Sequence, residues 1–168
     1  MPPHSHLTQP FILLIQTHER IIHKVCSVYA GQEEDHKDLF QDIVLQAWKA
    51  FPKFNKLAKE STWLYRIALN TAISGQRKGA GRPQVYHNEA LIADLPDALP
   101  EGPDKSLVLY RAIGSLPMLD RALVLLYLED KSAAEIAEIM GISVSNVGTR
   151  IGRIKEKLKA LAQPLINQ

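Results

Sequence analysis

The residues best suited to specific chemistry lie on one face of a basic segment between Ser143 and Lys159. Arginine and asparagine side chains can pair with guanine and adenine edges, whereas lysine and threonine side chains mostly contact phosphates. This polar face carries Ser145, Asn146, Thr149, Arg150, Arg153 and Lys157. The opposite side carries Val147, Ile151, Ile154, Leu158 and Leu161. Such spacing predicts an amphipathic helix whose polar face can enter the major groove of DNA.

A shorter helix and a tight turn are predicted immediately before this segment. Ser132 and Glu135 form the S-x-x-E capping box that begins a helix. The small side chain of Ala137 lets a second helix cross closely, and Gly141 supplies a left-handed turn residue. Together these features predict a DNA-binding helix-turn-helix. A helical hairpin with a merely solvated polar face is the alternative that this stretch alone leaves open.

Catalytic and metal-binding patterns are missing from the sequence. The six histidines are scattered, and the pair His23 and Cys26 is better explained by packing than by metal binding. No Ser-His-Asp order, phosphate-binding loop or clustered carboxylate pair suggests an enzyme. We therefore expect no catalytic activity, no cofactor and no metal.

Features of membrane or secreted proteins are missing as well. No apolar run approaches the roughly 20 residues that span a bilayer, and the N-terminus does not have the pattern of a signal peptide. The one cysteine allows no disulfide within the chain, which fits a reducing compartment. We expect a cytoplasmic protein without membrane insertion.

Charge divides the 168 residues into three blocks. Residues 1–78 carry ten Lys and Arg against seven Asp and Glu, and residues 105–168 carry nine against six. Residues 79–104 carry one against five and are rich in glycine and proline. Two mildly basic modules around an acidic linker would suit binding to a phosphate backbone, although inert surfaces often show similar excesses.

Helical periodicity dominates the rest of the chain, and we predict an all-α fold with two small helical domains joined by a flexible linker. The proposed boundaries are 8–78 for the first domain, 79–104 for the linker and 105–163 for the second. Helices are predicted from Pro10 to about Ala30, Glu34 to Phe51, Thr62 to about Arg77, Lys105 to Ser115 and Met118 to Leu128. Gly31 and Pro52 are expected to end the first two, and Ser61 to cap the third.

Two faces of the first domain could bind partners. The second helix presents Asp38, Gln41, Asp42 and Gln46 away from its apolar stripe, and this acidic face could equally be an ordinary solvated one. The third helix combines Trp63 and Tyr65 with Arg66 and Asn70. These aromatics could pack in the core, or they could stack on unpaired bases, which contributes roughly 1–3 kcal/mol per base.

The stretches "DLFQDIVLQAW" and "TWLYRIALNTA", in this order before such a helix-turn-helix, resemble the extracytoplasmic-function sigma factors of bacterial RNA polymerase. The resemblance covers roughly residues 10–78 and 105–162, which match the family's regions 2 and 4. It implies a protein that directs core RNA polymerase to promoter DNA, recognises the −35 and −10 elements and melts the −10 element. A stand-alone helix-turn-helix regulator is the alternative.

The resemblance also implies roles for individual residues. The acidic face Asp38, Gln41, Asp42 and Gln46 would bind core polymerase, and the polar face of the C-terminal helix would bind the −35 element. Binding and melting of the −10 element would involve Lys53, Asn55, Lys56, Lys59, Trp63, Tyr65, Arg66, Asn70, Arg77 and Lys78. Among these, Asn70 and the loop "KFNKLAKES" would hold a flipped base. An anti-sigma factor is a further implied partner.

Two departures from the family pattern stand out. Gly148 and Gly152 occupy the recognition helix where relatives usually carry larger or basic side chains. The family's usual aromatic before "TWLYRIA" is replaced by Glu60 and Ser61. The first departure leaves the exact −35 sequence open.

Overall fold

The computed structural model describes residues 5–78 and 112–166, and their regular structure is entirely helical. The helices of these residues are α1 (Thr8–Tyr29), α2 (Glu33–Ala50), α3 (Glu60–Lys78), α4 (Met118–Leu128), α5 (Ala133–Met140) and α6 (Val144–Ile166). Short 3-10 turns span Ser5–Leu7 and Phe51–Lys53, and residues 112–114 are also helical. The all-α prediction is confirmed. The predicted linker lies outside the described residues.

Helices α1, α2 and α3 pack as a three-helix bundle. Its fully buried centre includes Ile22, Val25, Ile43, Leu64 and Ala68, which come from all three helices. These residues recur at helical spacing, so the apolar stripes read from the sequence do point into one core.

Aromatic rings close the end of this bundle that precedes α3. The rings of Phe11 and Trp48 meet edge to face with centroids 5.0 Å apart. Phe54 and Trp63 stack at 4.7 Å. The stack joins the loop before α3 to the first turns of that helix.

One predicted helix cap is wrong. Ser61 does not cap α3, because that helix already begins at Glu60 and the Lys59 carbonyl accepts the Trp63 amide. The predicted end of α1 is correct to within one residue, since the helix ends at Tyr29, Ala30 has extended backbone (φ −99°, ψ 129°) and Gly31 follows. A polar side chain near a helix start is a weak guide to the register of the first turn.

The C-terminal helices surround a second set of buried residues, which includes Leu123, Leu126, Ile136 and Val147. Arg121 is buried beside them, and its guanidinium donates to the carbonyls of Leu116 and Gly114 at 2.9 and 2.7 Å. Carbonyl groups shielded from water need a hydrogen-bond donor. By supplying it, Arg121 stabilises the turn that leads into α4.

The helix-turn-helix is built as predicted. Ser132 Oγ accepts the Glu135 amide at 3.1 Å, and the Glu135 carboxylate accepts the Ser132 amide at 2.9 Å. Gly141 ends α5 in the left-handed region with φ +69°. Ser143 then begins α6 by accepting the Asn146 amide at 3.1 Å.

The two halves of the chain pack against each other, which no periodicity in the sequence indicated. Buried residues of both halves belong to one continuous hydrophobic cluster. Polar contacts join them too: the Tyr29 hydroxyl donates to the Met118 carbonyl at 2.6 Å, and Lys24 pairs with Glu129 at 2.7 Å. Helix α5 consequently lies against α3.

The capping box should make stability depend on pH. The Ser132 amide, helped by Lys131 and Lys59, holds the pKa of the Glu135 carboxyl below its ordinary value of 4.5. A depressed folded-state pKa contributes stability that is present above the unfolded value and lost as pH falls through the folded one. Glu135→Gln keeps a side chain that can cap the helix but cannot ionise. In urea at pH 7 the wild type should therefore have a higher free energy of unfolding than Glu135→Gln.

The wild-type advantage over Glu135→Gln should shrink once the pH drops below about 4.5. Glu138→Gln is the matched control, since it removes a charge from the same helix outside the capping box. An advantage that stays constant from pH 7 to pH 3 would contradict the role given to Glu135.

Candidate nucleic-acid interface

Helix α6 presents its polar face to solvent. Residues Ser145, Asn146, Thr149, Arg153 and Lys157 are exposed, and Arg150 is half-buried. On the opposite side Val147 and Ile154 are buried against the other helices. The structure thus brings all six predicted −35 residues onto the accessible side of one helix.

The three positively charged residues of this set line a cleft between α6 and the start of α4. The cleft has a volume of about 580 Å³ and is lined by Pro117, Met118, Leu119, Asp120, Arg150, Arg153, Ile154 and Lys157. Three positive side chains against one carboxylate make it electropositive, which suits a phosphate group. The start of α4 borders the same cleft, and the N-terminal end of a helix favours negatively charged groups.

The two glycines of α6 are not required by packing within the described chain. A Cβ added at Gly148 or Gly152 would meet no atom within 4 Å. Each glycine costs a helix about 1 kcal/mol relative to alanine. The open space beside them leaves room for a DNA backbone to approach this helix closely.

Helix α3 carries the second candidate surface. Trp63 is half-buried, whereas Arg66 and Asn70 are exposed. Steps of three and four residues place these side chains on one side of a helix. Arg66 Nη2 donates to the Glu138 carbonyl of α5 at 3.0 Å.

Tyr65 does not belong to this surface, and its predicted role in binding DNA is corrected. Two residues after Trp63, it points to the other side of the helix and is only 1% exposed. Its hydroxyl donates to Glu129 at 3.3 Å. Burial, reinforced by the Glu129 charge, raises the pKa of the Tyr65 phenol. The alternative reading of Tyr65 as a core residue is therefore correct.

The loop before α3 has a defined shape. Asn55 Oδ1 accepts the Leu57 amide at 3.1 Å, and Lys56 adopts the left-handed conformation with φ 61°. Leu57 is 88% exposed as a result, a feature that sequence reasoning missed. Lys53, Asn55 and Lys56 are exposed beside it.

A cavity of about 310 Å³ opens between this loop and α3. It is lined by Lys53, Phe54, Asn55, Leu57, Ala58, Trp63, Arg66 and Glu138. Aromatic and apolar side chains with cations at the rim suit an unstacked base attached to its phosphate. Glu138 forms part of the wall because α5 lies against α3 in this arrangement.

Helix α2 carries the third candidate surface. Asp38, Gln41, Asp42 and Gln46 are all exposed, opposite the buried Ile43 and Ala47. Leu45 lies between them on the helix and is 48% exposed. The sequence prediction for this face did not include Leu45, although the sequence shows that Leu45 lies outside the inward apolar stripe of the helix. The face is an acidic and amide rim around an apolar centre, as in many protein interfaces.

Some expectations concern residues whose side chains the structure leaves undescribed. Arg77 and Lys78 lie in the last turn of α3, but their side chains are outside the described part, as is that of Leu161.

Among the described residues, no group of three or more possible ligands could hold a metal ion. Cys26 is buried, and desolvation raises the pKa of its thiol to about 12. None of the described helices is long and apolar enough to cross a membrane.

Comparison with known proteins matches both halves of the chain to one family. Residues 14–82 match the family description "Sigma-70 region 2" and residues 106–158 match "Sigma-70, region 4". The chain is similar to the ECF RNA polymerase sigma factor SigW of Bacillus subtilis (strain 168), with 30% identity over 162 residues, 89% of this chain and 87% of that protein.

A second relative supports this match, and a solved structure has a similar fold. The ECF RNA polymerase sigma-E factor of Escherichia coli (strain K12) is 32% identical over 164 residues, 89% of this chain and 86% of that protein. The fold is also similar to the sigma factor RpoE from Bartonella quintana, solved in complex with the anti-sigma factor NepR. That similarity has a TM-score of 0.64 at 18% identity and covers 95% of this chain and 98% of that one.

The arrangement of a three-helix bundle before a helix-turn-helix therefore defines a sigma-70 type transcription initiation factor. The chain belongs to the ECF sigma factors of RNA polymerase. Its function is to direct core RNA polymerase to promoter DNA for the initiation of transcription.

Replacing the glycines of α6 should stabilise the helix-turn-helix. Gly148→Ala and Gly152→Ala should each raise the free energy of unfolding by about 1 kcal/mol, because alanine favours the helix and the added Cβ has free space. Gly141→Ala is the opposing control, since its φ of +69° strains any L side chain. Thermal unfolding measures all three variants, and a loss of stability in either α6 variant would contradict the open space described here.

Proposed function

We propose that α6 reads the −35 element and that α3 with its preceding loop binds and melts the −10 element. The observation that carries this proposal is the exposed polar face of α6 with its basic cleft. In the −35 role, Asn146, Arg150 and Arg153 would contact base edges, while Ser145, Thr149 and Lys157 would hold phosphates. Run-off transcription with core polymerase tests the proposal as a whole.

For the −10 element, we assign the flipped base to the cavity lined by Trp63 and the preceding loop, with Asn70 outside that lining on the same side of α3. The Phe54–Trp63 stack supplies an aromatic wall, and the Asn70 amide lies on the same side of α3. Phosphate contacts are assigned to Lys53, Lys56, Lys59 and Arg66, and contacts to the upstream duplex to Arg77 and Lys78. Asn55 is assigned the positioning of the loop, because its side chain accepts the Leu57 amide.

We assign the binding of core polymerase to Asp38, Gln41, Asp42 and Gln46, with Leu45 at their centre. Exposure of all five side chains on one face of α2 supports this assignment. Buried apolar centres usually contribute most to the affinity of an interface, and the charged rim contributes specificity.

The proposed domains are residues 8–78 and 105–163, with a linker at 79–104. The matches to sigma-70 regions at 14–82 and 106–158 support these boundaries. We further propose that the chain acts in the cytoplasm, catalyses no reaction itself and is controlled by an anti-sigma factor. The similar fold of RpoE, solved in complex with the anti-sigma factor NepR, motivates the last point.

Asn70→Ala and Arg150→Ala should impair different steps at a promoter identified by run-off transcription. Arg150→Ala should weaken the closed complex by roughly 1–3 kcal/mol, the value of a good base contact. Asn70→Ala should leave closed-complex affinity unchanged and slow strand opening. Filter binding in the cold measures the first step, and permanganate reactivity of unpaired thymines measures the second.

Lys159→Ala is the matched control for Arg150→Ala, since it removes one positive charge from the same helix outside the proposed set. Equal defects of Asn70→Ala and Arg150→Ala in both steps would contradict the division of labour between the two halves.

Leu45→Gln should weaken the binding of core polymerase about tenfold, because burying a leucine side chain contributes roughly 1.5–3 kcal/mol. The exposed position of Leu45 means that the substitution leaves the bundle core intact. Fluorescence anisotropy of labelled protein with core enzyme measures the affinity. Glu34→Gln, which changes an exposed residue in the first turn of the same helix, should bind like the wild type. Wild-type affinity of Leu45→Gln would remove Leu45 from the interface.

A further inference from the structure

A pair of histidines joins α1 to α2 outside the surfaces assigned above. His23 Nδ1 lies 3.1 Å from His36 Nε2, and the centroids of the two stacked imidazole rings are 5.4 Å apart. Imidazole nitrogens are common ligands of Zn²⁺ and of other first-row transition-metal ions. Sequence spacing suggested only Cys26 as a companion for His23, whereas the structure places His23 beside a histidine 13 positions further along the chain.

The separation of these two nitrogens suits two ligands of one metal ion. Zn–N bonds of roughly 2.0–2.1 Å meet at an angle of about 100° when the nitrogens are 3.1 Å apart. Such an angle is close to the tetrahedral geometry that Zn²⁺ adopts in proteins. A metal ion can therefore replace the hydrogen bond between His23 and His36 after a small rotation of the rings, without movement of either helix.

Glu19 holds the His23 ring in the form that metal binding requires. The Glu19 carboxylate accepts a hydrogen bond from His23 Nε2 at 3.2 Å, so the Nδ1 of the neutral ring carries a lone pair and faces His36. Histidines that bind metal ions commonly donate their other ring nitrogen to a carboxylate in this way, which orients the ring. The Phe40 ring packs against the His23 ring, with centroids 4.8 Å apart, and limits its rotation.

His36 is suited to be the second ligand. Its ring is half-buried, and burial together with the neighbouring His23 lowers the pKa of His36, while Glu33 acts in the opposite direction. The uncharged form of the ring is therefore favoured at neutral pH, and only an uncharged imidazole has a lone pair for a metal ion. When Nε2 binds the metal ion, the remaining ring proton moves to Nδ1, and His36 stays neutral.

We propose that His23 and His36 form a binding site for a divalent transition-metal ion such as Zn²⁺, with Glu19 as the positioning carboxylate. His23 Nδ1 and His36 Nε2 supply two ligands, and water molecules complete the coordination, since the described residues offer no third protein ligand. His23 is exposed, so an ion with its waters can reach the pair. The bound ion links α1 to α2 two residues before Asp38, where the polar face of α2 begins.

Other possible metal ligands near this site must be separated from it in the test. Cys26 is buried, and the pKa of its thiol is raised to about 12, so it does not provide a thiolate at neutral pH. His4 and His6 are two positions apart in the sequence and can bind a metal ion on their own. The reference protein is therefore the full chain with His4→Gln and His6→Gln and without an affinity tag.

Isothermal titration of the reference protein with ZnCl₂ should show one Zn²⁺ per chain, and titration with MgCl₂ should show no binding, because Mg²⁺ prefers oxygen ligands. Adding His36→Gln should remove the saturable binding of Zn²⁺. Glu19→Ala should weaken it roughly tenfold, as is typical when a supporting carboxylate is lost, and Glu19→Gln should retain more affinity because its amide oxygen can still accept from His23. His18→Gln is the matched control, since the His18 ring bonds to Glu60 instead of the pair, and its affinity should be unchanged.

Two further measurements distinguish metal binding from a structural role of the histidines. In long-range ¹H–¹⁵N NMR spectra, Zn²⁺ should shift the resonances of His23 Nδ1 and His36 Nε2 selectively. Zn²⁺ should also raise the urea midpoint of the reference protein but not that of its His36→Gln variant, because an ion that binds only the folded pair stabilises the folded state. Zn²⁺ binding that survives His36→Gln, shifts at other nitrogens, or saturation only above about 1 mM Zn²⁺ would overturn the site. Full affinity in Glu19→Ala would overturn the positioning role of Glu19.

Discussion

The arrangement of this sigma factor depends on the contact of Lys24 with Glu129. These residues are 105 positions apart in the chain, yet the Lys24 ammonium lies 2.7 Å from both carboxylate oxygens. The pair is about four-fifths shielded, and Tyr65 adds a hydroxyl to it. Bringing such distant residues together costs loop entropy, and the burial of the hydrophobic cluster that spans both halves offsets this cost.

Within each half, local rules were enough to predict which candidate functional side chains are accessible. The apolar stripes of α2 and α6 determine which faces are buried, and the polar sets Asp38 to Gln46 and Ser145 to Lys157 follow as the accessible remainder. The capping box at Ser132 and the left-handed Gly141 were likewise readable, because both act through hydrogen bonds and backbone angles of near neighbours.

Three features were not predictable in this way, each for a different reason. Tyr65 has an aromatic ring that could stack on a base. In the structure, however, Tyr65 is buried, and its hydroxyl donates to Glu129 of the other half. The exposure of Leu57 depends on the Asn55 side chain and the left-handed Lys56, a combination with no periodic signal. Leu45 is the third feature. The helical periodicity places it on the outward side of α2, but does not explain why that position carries an apolar side chain.

The charge distribution gives each half only a weak electrostatic attraction to DNA. Each flanking block has an excess of only three positive charges, and affinity for duplex DNA grows with the number of phosphates neutralised. The glycines at 148 and 152 also lower the stability of α6. Weak individual sites become useful when a rigid partner presents both to one DNA molecule, because the second contact is then intramolecular. In the proposed assignment core RNA polymerase is that partner, and selectivity for a promoter would come from the joint use of the two candidate surfaces.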